Sequence, residues 1–299
     1  MVHSIRTLLS ALALLLLLSA SSVAAQQAQD DALVISTGRE GGSYSFIASR
    51  LKRVMMSQHQ TVVEVVPTRG SLENLIRLDD PSSNVSLALT QADVLATYIE
   101  KKPEFTDRFI VLGDVGNECA ILITGSHSSL ETVQDLKSSE GTEISVDTAH
   151  SGAALTLRQM TLLESGFATL TPVYVDVMQA LLQIKVPSPH SKLRALMLVQ
   201  RPNAVPEPVR IVLDNPEIYR IVPILEADVG NIELPDGSPV YTFEQIAVGG
   251  RARPESIKVE TLCTRGLLLA SKSKLSRDTR SRLSRTMLKS GDEIIGKTE

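Results

Sequence analysis

Four short turns built from small and polar residues carry the side chains and backbone groups that suit ligand binding. They lie at residues 36–44 (STGREGGSY), 68–72 (TRGSL), 90–92 (TQA) and 147–152 (DTAHSG). Each turn follows an apolar run and precedes a segment with helical spacing, so each is expected to hold a helix N-terminus. The first N–H groups of a helix lack an acceptor within the helix and carry about half a positive charge. The turns therefore predict a site for a negatively charged group.

A purely structural interpretation of some of these residues stays open. Ser43 and Ser71 are also suited to capping the helices that follow them. Capping is compatible with binding, and the repetition of the same kind of turn along one chain favours binding. For Tyr44, a place in the hydrophobic core is an equal alternative to ligand contact.

The apolar runs before the turns predict a mostly parallel α/β sheet. These runs lie at residues 32–35, 61–66, 85–89 and 143–146, and a helical pattern follows each of them. Alternation of this kind is typical of α/β folds. Open α/β sheets bind ligands just outside the carboxyl ends of their strands. We therefore expect the four turns to converge on one cleft.

The rest of the chain continues the alternation with less regularity. The predicted segments are a strand at 119–124, a helix at 129–136, strands at 173–175 and 193–199 around a helix at 176–184, a loop at 201–208, an irregular excursion at 225–255 and a basic amphipathic helix at 276–289.

The N-terminal segment has the layout of a secretory signal peptide. A short basic end with Arg6 precedes a run of leucine and alanine, and small residues end at Ala25, where cleavage is predicted. The alternative is a membrane anchor, but the run is shorter than the ~20 residues that span a bilayer. Removal of residues 1–25 leaves 29 basic and 34 acidic side chains, a formal charge of −5. This charge argues against a nucleic acid as partner.

Sequence motifs of common enzyme classes are absent. The glycine turn lacks the lysine of a phosphate-binding loop and the spacing of a dinucleotide-binding loop, and no GxSxG or HExxH occurs. Asp147, His150 and Ser151 are the nearest approach to a catalytic triad, but they lie within five residues of one turn. The sequence therefore predicts a binding protein without catalytic residues, cofactor or metal, and a secreted hydrolase is the remote alternative.

Three blocks together resemble one family. Residues 37–44 (TGREGGSY), 68–75 (TRGSLENL) and 90–94 (TQADV) are similar, in the same order and at similar spacing, to the TGGTGGTYY, TGGSVENL and VQADV stretches of the TAXI family. That family comprises the solute-binding proteins of a class of TRAP (tripartite ATP-independent periplasmic) transporters. The resemblance extends more loosely over nearly the whole chain that follows the signal peptide.

The resemblance implies a two-lobed periplasmic-binding-protein fold of type II, in which a solute is trapped by hinge closure. Lobe one would comprise residues 32–118 and 225–299, and lobe two residues 119–224. The implied ligand is a small anionic solute such as glutamate, glutamine or a dicarboxylate. The implied partners are the membrane subunits of a TRAP transporter, and the implied location is the periplasm. A periplasmic sensor that signals to a membrane kinase is an alternative with the same fold.

The resemblance also implies a set of ligand contacts. The expected contacts are Thr37, Gly38, Gly42, Ser43, Tyr44, Gly70, Ser71, Gln91, Asp147, Thr148, Ser151 and Gly152. This chain departs from the family at Arg39 and Arg69, which replace small residues, and at His150, which adds bulk to the fourth turn. These three residues are secondary candidates, and the two arginines favour a more acidic solute.

The chain contains two cysteines, Cys119 and Cys263. In an oxidising compartment, an even number permits a disulfide if the strands that carry the cysteines are neighbours. Two buried thiols are the alternative, and the sequence leaves both open.

Overall fold

The computed structural model describes residues 33–186, 191–225, 232–234, 236–250, 254 and 256–296. The predicted signal peptide, residues 1–25, lies outside these residues. No helix in the described part of the chain combines the length and apolar character needed to cross a membrane.

In the described part of the chain, ten strands form one mixed sheet. Their bounds are β1 Leu33–Ser36, β2 Val63–Val66, β3 Leu87–Gln91, β4 Phe109–Gly125, β5 Glu143–Ser145, β6 Thr171–Val173, β7 Leu193–Gln200, β8 Tyr219–Val222, β9 Tyr241–Val248 and β10 Ile257–Ser271. The strand order is β2-β1-β3-β10-β4-β7-β5-β6, with β8 paired to β4 and β9 paired to β10.

Eight α-helices are described, and most of them connect strands of the sheet. Their bounds are α1 Ser43–His59, α2 Ser71–Asp79, α3 Ala92–Lys101, α4 Val133–Ser138, α5 Gly152–Leu163, α6 Val177–Lys185, α7 Glu207–Asp214 and α8 Arg277–Ile295.

Two long antiparallel strands join the halves of the sheet. Strand β4 has 17 residues and β10 has 15, against an ordinary strand length of about 5–6 residues. The C-terminal end of β10 pairs with β3, and the C-terminal end of β4 pairs with β7 and β8. The parallel pairs lie outside this centre, with β1 between β2 and β3 in one half and β5 between β6 and β7 in the other. The sheet is therefore continuous across both lobes.

Glycines allow β4 and β10 to approach closely at the crossing, which is the point where this pair of strands passes from one half of the molecule to the other. A Cβ atom on Gly266 would lie 2.9 Å from Val115 Cγ2 and 3.1 Å from the Gly116 carbonyl oxygen. Gly116 has a φ of +97°, which is in the region that favours glycine. The register of the pair shifts at Gly266/Leu267, and the pairing continues beyond this irregularity to Ser271 and Phe109.

The hydrophobic core is continuous on one face of the sheet and divided on the other. On the continuous face, Leu75 and Leu95 of one half belong to the same cluster as Leu157 and Phe167 of the other. On the divided face, α1 and α8 form one cluster with β1 and β3, while α6 and α7 form a separate cluster with β4 and β7. The division on this face leaves room for a cleft between the two halves.

The structure confirms the predicted alternation and corrects several of its bounds. The strand predicted at 85–89 is β3, which runs two residues further and includes Gln91. The strand predicted at 119–124 is only one end of β4. The helix predicted at 129–136 is α4, which begins after Thr132 because that residue and Asp135 form a capping box.

Two segments predicted to lack regular structure contain elements. The predicted loop at 201–208 includes the start of α7, because Pro206 caps this helix and Pro208 falls in its first turn, where proline is tolerated. The predicted irregular excursion at 225–255 contains β9, which pairs with β10 along its whole length. Pairing with a distant strand determines β9, and local sequence does not reveal such a partner.

The two cysteines lie directly opposite each other where β4 pairs with β10. The structure joins Cys119 and Cys263 in a disulfide, across 144 positions of the chain. Both residues are buried. The bond therefore links the two long strands on the side of the crossing that faces β7 and β9.

We expect the double variant Cys119→Ala/Cys263→Ala to lose about 2–4 kcal/mol of unfolding free energy, because a disulfide restricts the unfolded chain. Urea unfolding of the processed protein measures this loss. A reducing agent should lower the midpoint of the wild type toward that of the variant and leave the variant unchanged. Equal midpoints for oxidised wild type and variant would contradict the prediction.

Candidate functional site

The predicted turns meet at a cleft of about 920 Å³ between the two halves of the molecule. Residues from α1, α2, α5, α6 and α7 near their N-terminal ends contribute to its walls. The predicted residues that line it are Thr37, Gly38, Arg39, Gly42, Ser43, Tyr44, Arg69, Gly70, Ser71, Gln91, Asp147, Ser151 and Gly152.

Two predicted residues, Thr148 and His150, do not line the cleft. The His150 carbonyl oxygen instead faces the second turn, where a Cβ atom on Gly70 would lie 2.7 Å from it. Gly70 also has a φ of +134°, a conformation open to glycine alone among ordinary residues. This glycine therefore allows the second and fourth turns to touch.

Glycine residues cap the two helices that open onto the first wall of the cleft. Gly42 is the N-cap of α1 and Gly70 is the N-cap of α2, and neither helix has a side-chain cap. The interpretation of Ser43 and Ser71 as N-caps is therefore wrong, because both serines are already helical. In contrast, the Ser151 hydroxyl caps α5 by accepting from the Ala154 N–H. The first N–H groups of α1 and α2 thus remain open to a solute.

Asn74 ties three of the turns to one another. Its side chain is fully buried and accepts a hydrogen bond from the Thr68 hydroxyl at 2.6 Å. Its amide donates to the Leu89 carbonyl at 2.7 Å and also to the Thr37 carbonyl. One amide side chain therefore holds the ends of β1 and β3 and the start of α2 in register.

Gln91 connects the wall formed by the starts of α1 and α2 to the N-terminus of α5 in the other half. The Ser71 hydroxyl donates to Gln91 Oε1 at 3.4 Å and accepts from the Gln91 backbone N–H at 3.3 Å. Gln91 is 1% exposed, and its Nε2 has no protein partner. A Cβ atom on Gly152 would lie 1.9 Å from Gln91 Oε1. The side chain of Gln91 thus occupies space at the N-terminus of α5 that only glycine leaves free.

A carboxyl group and a guanidinium group lie at the floor of the cleft. Glu118 comes from the middle of β4, and Arg201 follows the end of β7. Burial raises the pKa of Glu118 to about 8, against the lowering effects of Tyr44 and Arg201, and Asp93 raises it further. Burial lowers the pKa of Arg201, while Glu118 acts in the opposite direction. At neutral pH Glu118 is therefore mostly uncharged, and Arg201 keeps its positive charge.

The guanidinium of Arg201 has no hydrogen-bond or ion-pair partner among the described residues, although the Arg201 carbonyl accepts from the Ala204 N–H. Its guanidinium lies over the crossing strands, where a Cβ atom on Gly116 would be 3.4 Å from Nη2. The Tyr44 hydroxyl nearby has no hydrogen bond of good geometry, although it lies near the side chains of Ser71 and Glu118, whose hydrogen bonding shifts its pKa in opposite directions. Burial raises the pKa of Tyr44 well above its usual value. Within the described part of the chain, the floor therefore presents two donors, the Arg201 guanidinium and the Tyr44 hydroxyl, that make no hydrogen bond of good geometry.

The two arginines expected at the mouth of the cleft already have partners. Arg39 pairs with Asp147 at 3.4 Å, which joins the first and fourth turns across the opening. Arg69 pairs with Glu73 at 2.9 Å within the start of α2. Burial raises the pKa of Asp147, and Arg39 opposes that rise. Only the Arg39–Asp147 pair spans the mouth, and because its guanidinium is exposed to solvent, the pair adds little resistance to opening.

A buried network behind the cleft also joins the two halves. Asp93 of α3 accepts hydrogen bonds from the Thr156 hydroxyl of α5 at 2.5 Å and from the Tyr241 hydroxyl of β9 at 2.9 Å. Burial raises the pKa of Asp93, and both donors counteract that rise. These hydrogen bonds add a specific polar contact to the apolar packing of α3 against α5.

Comparison with known proteins supports the fold. No protein-family model and no curated protein matches the sequence. Among solved structures, a periplasmic transporter has a TM-score of 0.52 at 12% identity, over 88% of this chain and 84% of its own. Iron-bound HitA from Pseudomonas aeruginosa has a TM-score of 0.50 at 13% identity, over 88% of this chain and 83% of its own.

A third similar structure is the amino acid ABC transporter substrate-binding protein AbpA from Streptococcus pneumoniae bound to L-arginine. Its TM-score is 0.50 at 12% identity, over 90% of this chain and 93% of its own. The chain has the two-lobed fold of the periplasmic solute-binding proteins. At these identities the likeness shows the fold alone, and the function has to be argued from the cleft.

Sequence reasoning missed Glu118 and Arg201. Glu118 lies one residue before the predicted strand at 119–124, and Arg201 opens the segment predicted as a loop. A buried carboxyl group within a strand has no local signature, because its burial depends on β7 and β10 beside it. Arg201 does have a local signature in the sequence, because it directly follows an apolar strand, as the residues of the other turns do.

We expect Gly152→Ala to displace Gln91, because the added Cβ would overlap Oε1. Overpacking of this kind costs about 1–3 kcal/mol of unfolding free energy, and urea unfolding measures it. Gly291→Ala is the matched control, since this helical glycine has open space around it.

The double variant Gly152→Ala/Gln91→Ala should recover most of that loss, because truncation of Gln91 removes the overlap. If the effects of the two single variants simply add, the close contact between Gln91 and Gly152 does not exist in solution.

Proposed function

We propose that this protein is an extracytoplasmic solute-binding protein that captures a small anionic solute in the cleft. The observation that carries the proposal is Arg201, a guanidinium at the cleft floor that forms no ion pair with any described residue and whose neighbour Glu118 is mostly uncharged at neutral pH. Further donors lie on the same wall. They are the helix N-termini at Ser43 and Ser71, which lack a side-chain cap, and the Gln91 amide, whose Nε2 has no hydrogen-bond partner among the described residues. Donors gathered in this way suit a carboxylate.

Binding in this proposal is a physical process of capture and closure. The solute's carboxylate replaces water at Arg201 and at the helix N-termini. The second half then closes, and the contact between Gln91 and Gly152 and the Asp93–Thr156 hydrogen bond re-form. Exclusion of water from the cleft strengthens the electrostatic attraction. The closed shape is the form that a membrane partner recognises.

The finer assignment rests on the resemblance to the TAXI family. It supports a periplasmic location, a TRAP transporter as partner and a glutamate-, glutamine- or dicarboxylate-like solute. It also supports the division into lobe one, residues 32–118 and 225–299, and lobe two, residues 119–224. The boundary at 118/119 falls within β4, which agrees with a strand that passes from one lobe to the other.

We expect Arg201→Gln to weaken binding of a carboxylate by about 10–100-fold, because a hydrogen bond to a charged group contributes about 1.5–3 kcal/mol. A thermal-shift screen of the processed protein against amino acids and short dicarboxylates identifies a bound solute. Calorimetry with that solute then compares the wild type with the variant.

Arg210→Gln is the matched control, because Arg210 is an exposed arginine on α7 that does not line the cleft. It should bind the solute as the wild type does. Equal affinity of the wild type and Arg201→Gln would contradict the assignment of the cleft floor as the anion site.

A further inference from the structure

Glu118 is the most unusual side chain of the cleft floor. It is 6% exposed and lines the cleft, and its one side-chain hydrogen-bonding neighbour among the described residues is the Tyr44 hydroxyl, which does not reach it with good geometry. A buried carboxyl group that lacks a full set of well-formed hydrogen bonds is costly to a folded protein. A solute that bonds to this group would recover part of that cost, so Glu118 is well placed to influence which solute binds.

The charged and titratable groups around Glu118 come from several elements. Tyr44 of α1 and Arg201 after β7 stabilise its ionised form, and Asp93 of α3 opposes it. Arg50 of α1 acts on Arg201. On the neighbouring strand β10, the residue opposite Glu118 is Thr264, which carries no charge. Burial outweighs the favourable neighbours, so the protonated form predominates near neutral pH.

We propose that Glu118 is a specificity-determining residue whose carboxyl group donates a hydrogen bond to an oxygen of the solute while Arg201 pairs with the solute's carboxylate. The inference rests on the proposed function and deepens it. A carboxylic acid that donates adds one more donor beside the Arg201 guanidinium. The solute class is then a small acid that presents oxygen acceptors to Glu118.

The proposal separates two kinds of solute by their response to pH. An oxygen acceptor needs the protonated form of Glu118, so its affinity should fall as Glu118 ionises. An ammonium group needs the ionised form, so its affinity should rise over the same range. With a pKa of about 8, the protonated fraction falls about tenfold between about pH 7 and about pH 9.

The test measures calorimetric affinities of the processed full chain for succinate, aspartate, glutarate and glutamate at about pH 7 and about pH 9. We expect succinate or glutarate to bind more tightly than the amino acid of the same length, and to lose about tenfold in affinity at the higher pH. Glu118→Gln keeps a donor of the same shape, so it should bind with similar affinity at both values. Glu118→Leu has no donor and should bind at least tenfold more weakly.

Glu140→Gln is the control for a general effect of carboxyl removal, because Glu140 is exposed and does not line the cleft. It should keep the wild-type pH dependence. Thermal unfolding at each pH confirms that the proteins are folded. The stability contribution of Glu118 is fully present below about pH 4.5 and is lost as the pH rises through about 8, so Glu118→Gln should flatten that decline.

The outcomes separate the two proposals. Affinity that rises with pH, or that is the same at both pH values in wild type and Glu118→Gln, overturns the role of Glu118 and leaves the binding function intact. Binding of none of the four probes overturns the proposed anion class, and the inference about Glu118 falls with it.

Discussion

The pairing of β4 with β10 is the constraint on which the rest of the structure depends. Each strand runs through both halves, so the two halves cannot be positioned independently of this pair. Glycines at 116 and 266 let the strands approach at the crossing, and the disulfide joins them a few residues away. Glu118 lies between these two features and Arg201 lies over the first. The cleft floor is thus built from the most restrained part of the sheet.

The walls of the cleft depend on close approach of the backbone, which the glycines make possible. Gly70 and Gly152 each leave space that a Cβ atom would fill, one against His150 and the other against Gln91. Asn74 then holds three turns together with one buried amide. Because the helix caps on this wall are glycines, these restraints position N–H groups without consuming them. Rigid placement of unused donors is the physical basis of a preorganised anion site.

Much of this arrangement is predictable from local sequence. Apolar runs and helical spacing locate β1, β2, α1, α2 and α5, since each of these elements has its own pattern. Most of the predicted turn residues line one cleft because the strands that precede them end at the same edge. The interpretation of Ser43 and Ser71 as N-caps was wrong, because sequence alone does not distinguish a serine N-cap from a glycine N-cap that is followed by serine. The formation of β9 and the burial of Glu118 depend on strands that are distant in the sequence, and local sequence patterns do not reveal such partners.

The central claim is that an acid binds between Arg201 and the N-termini of α1 and α2. The most direct test is a crystal structure of the processed protein grown with a mixture of succinate and glutarate. The account predicts a carboxylate within hydrogen-bond distance of the Arg201 guanidinium and of backbone N–H groups at Ser43 or Ser71. A carboxylate bound elsewhere, with water alone between Arg201 and the two helices, would contradict it.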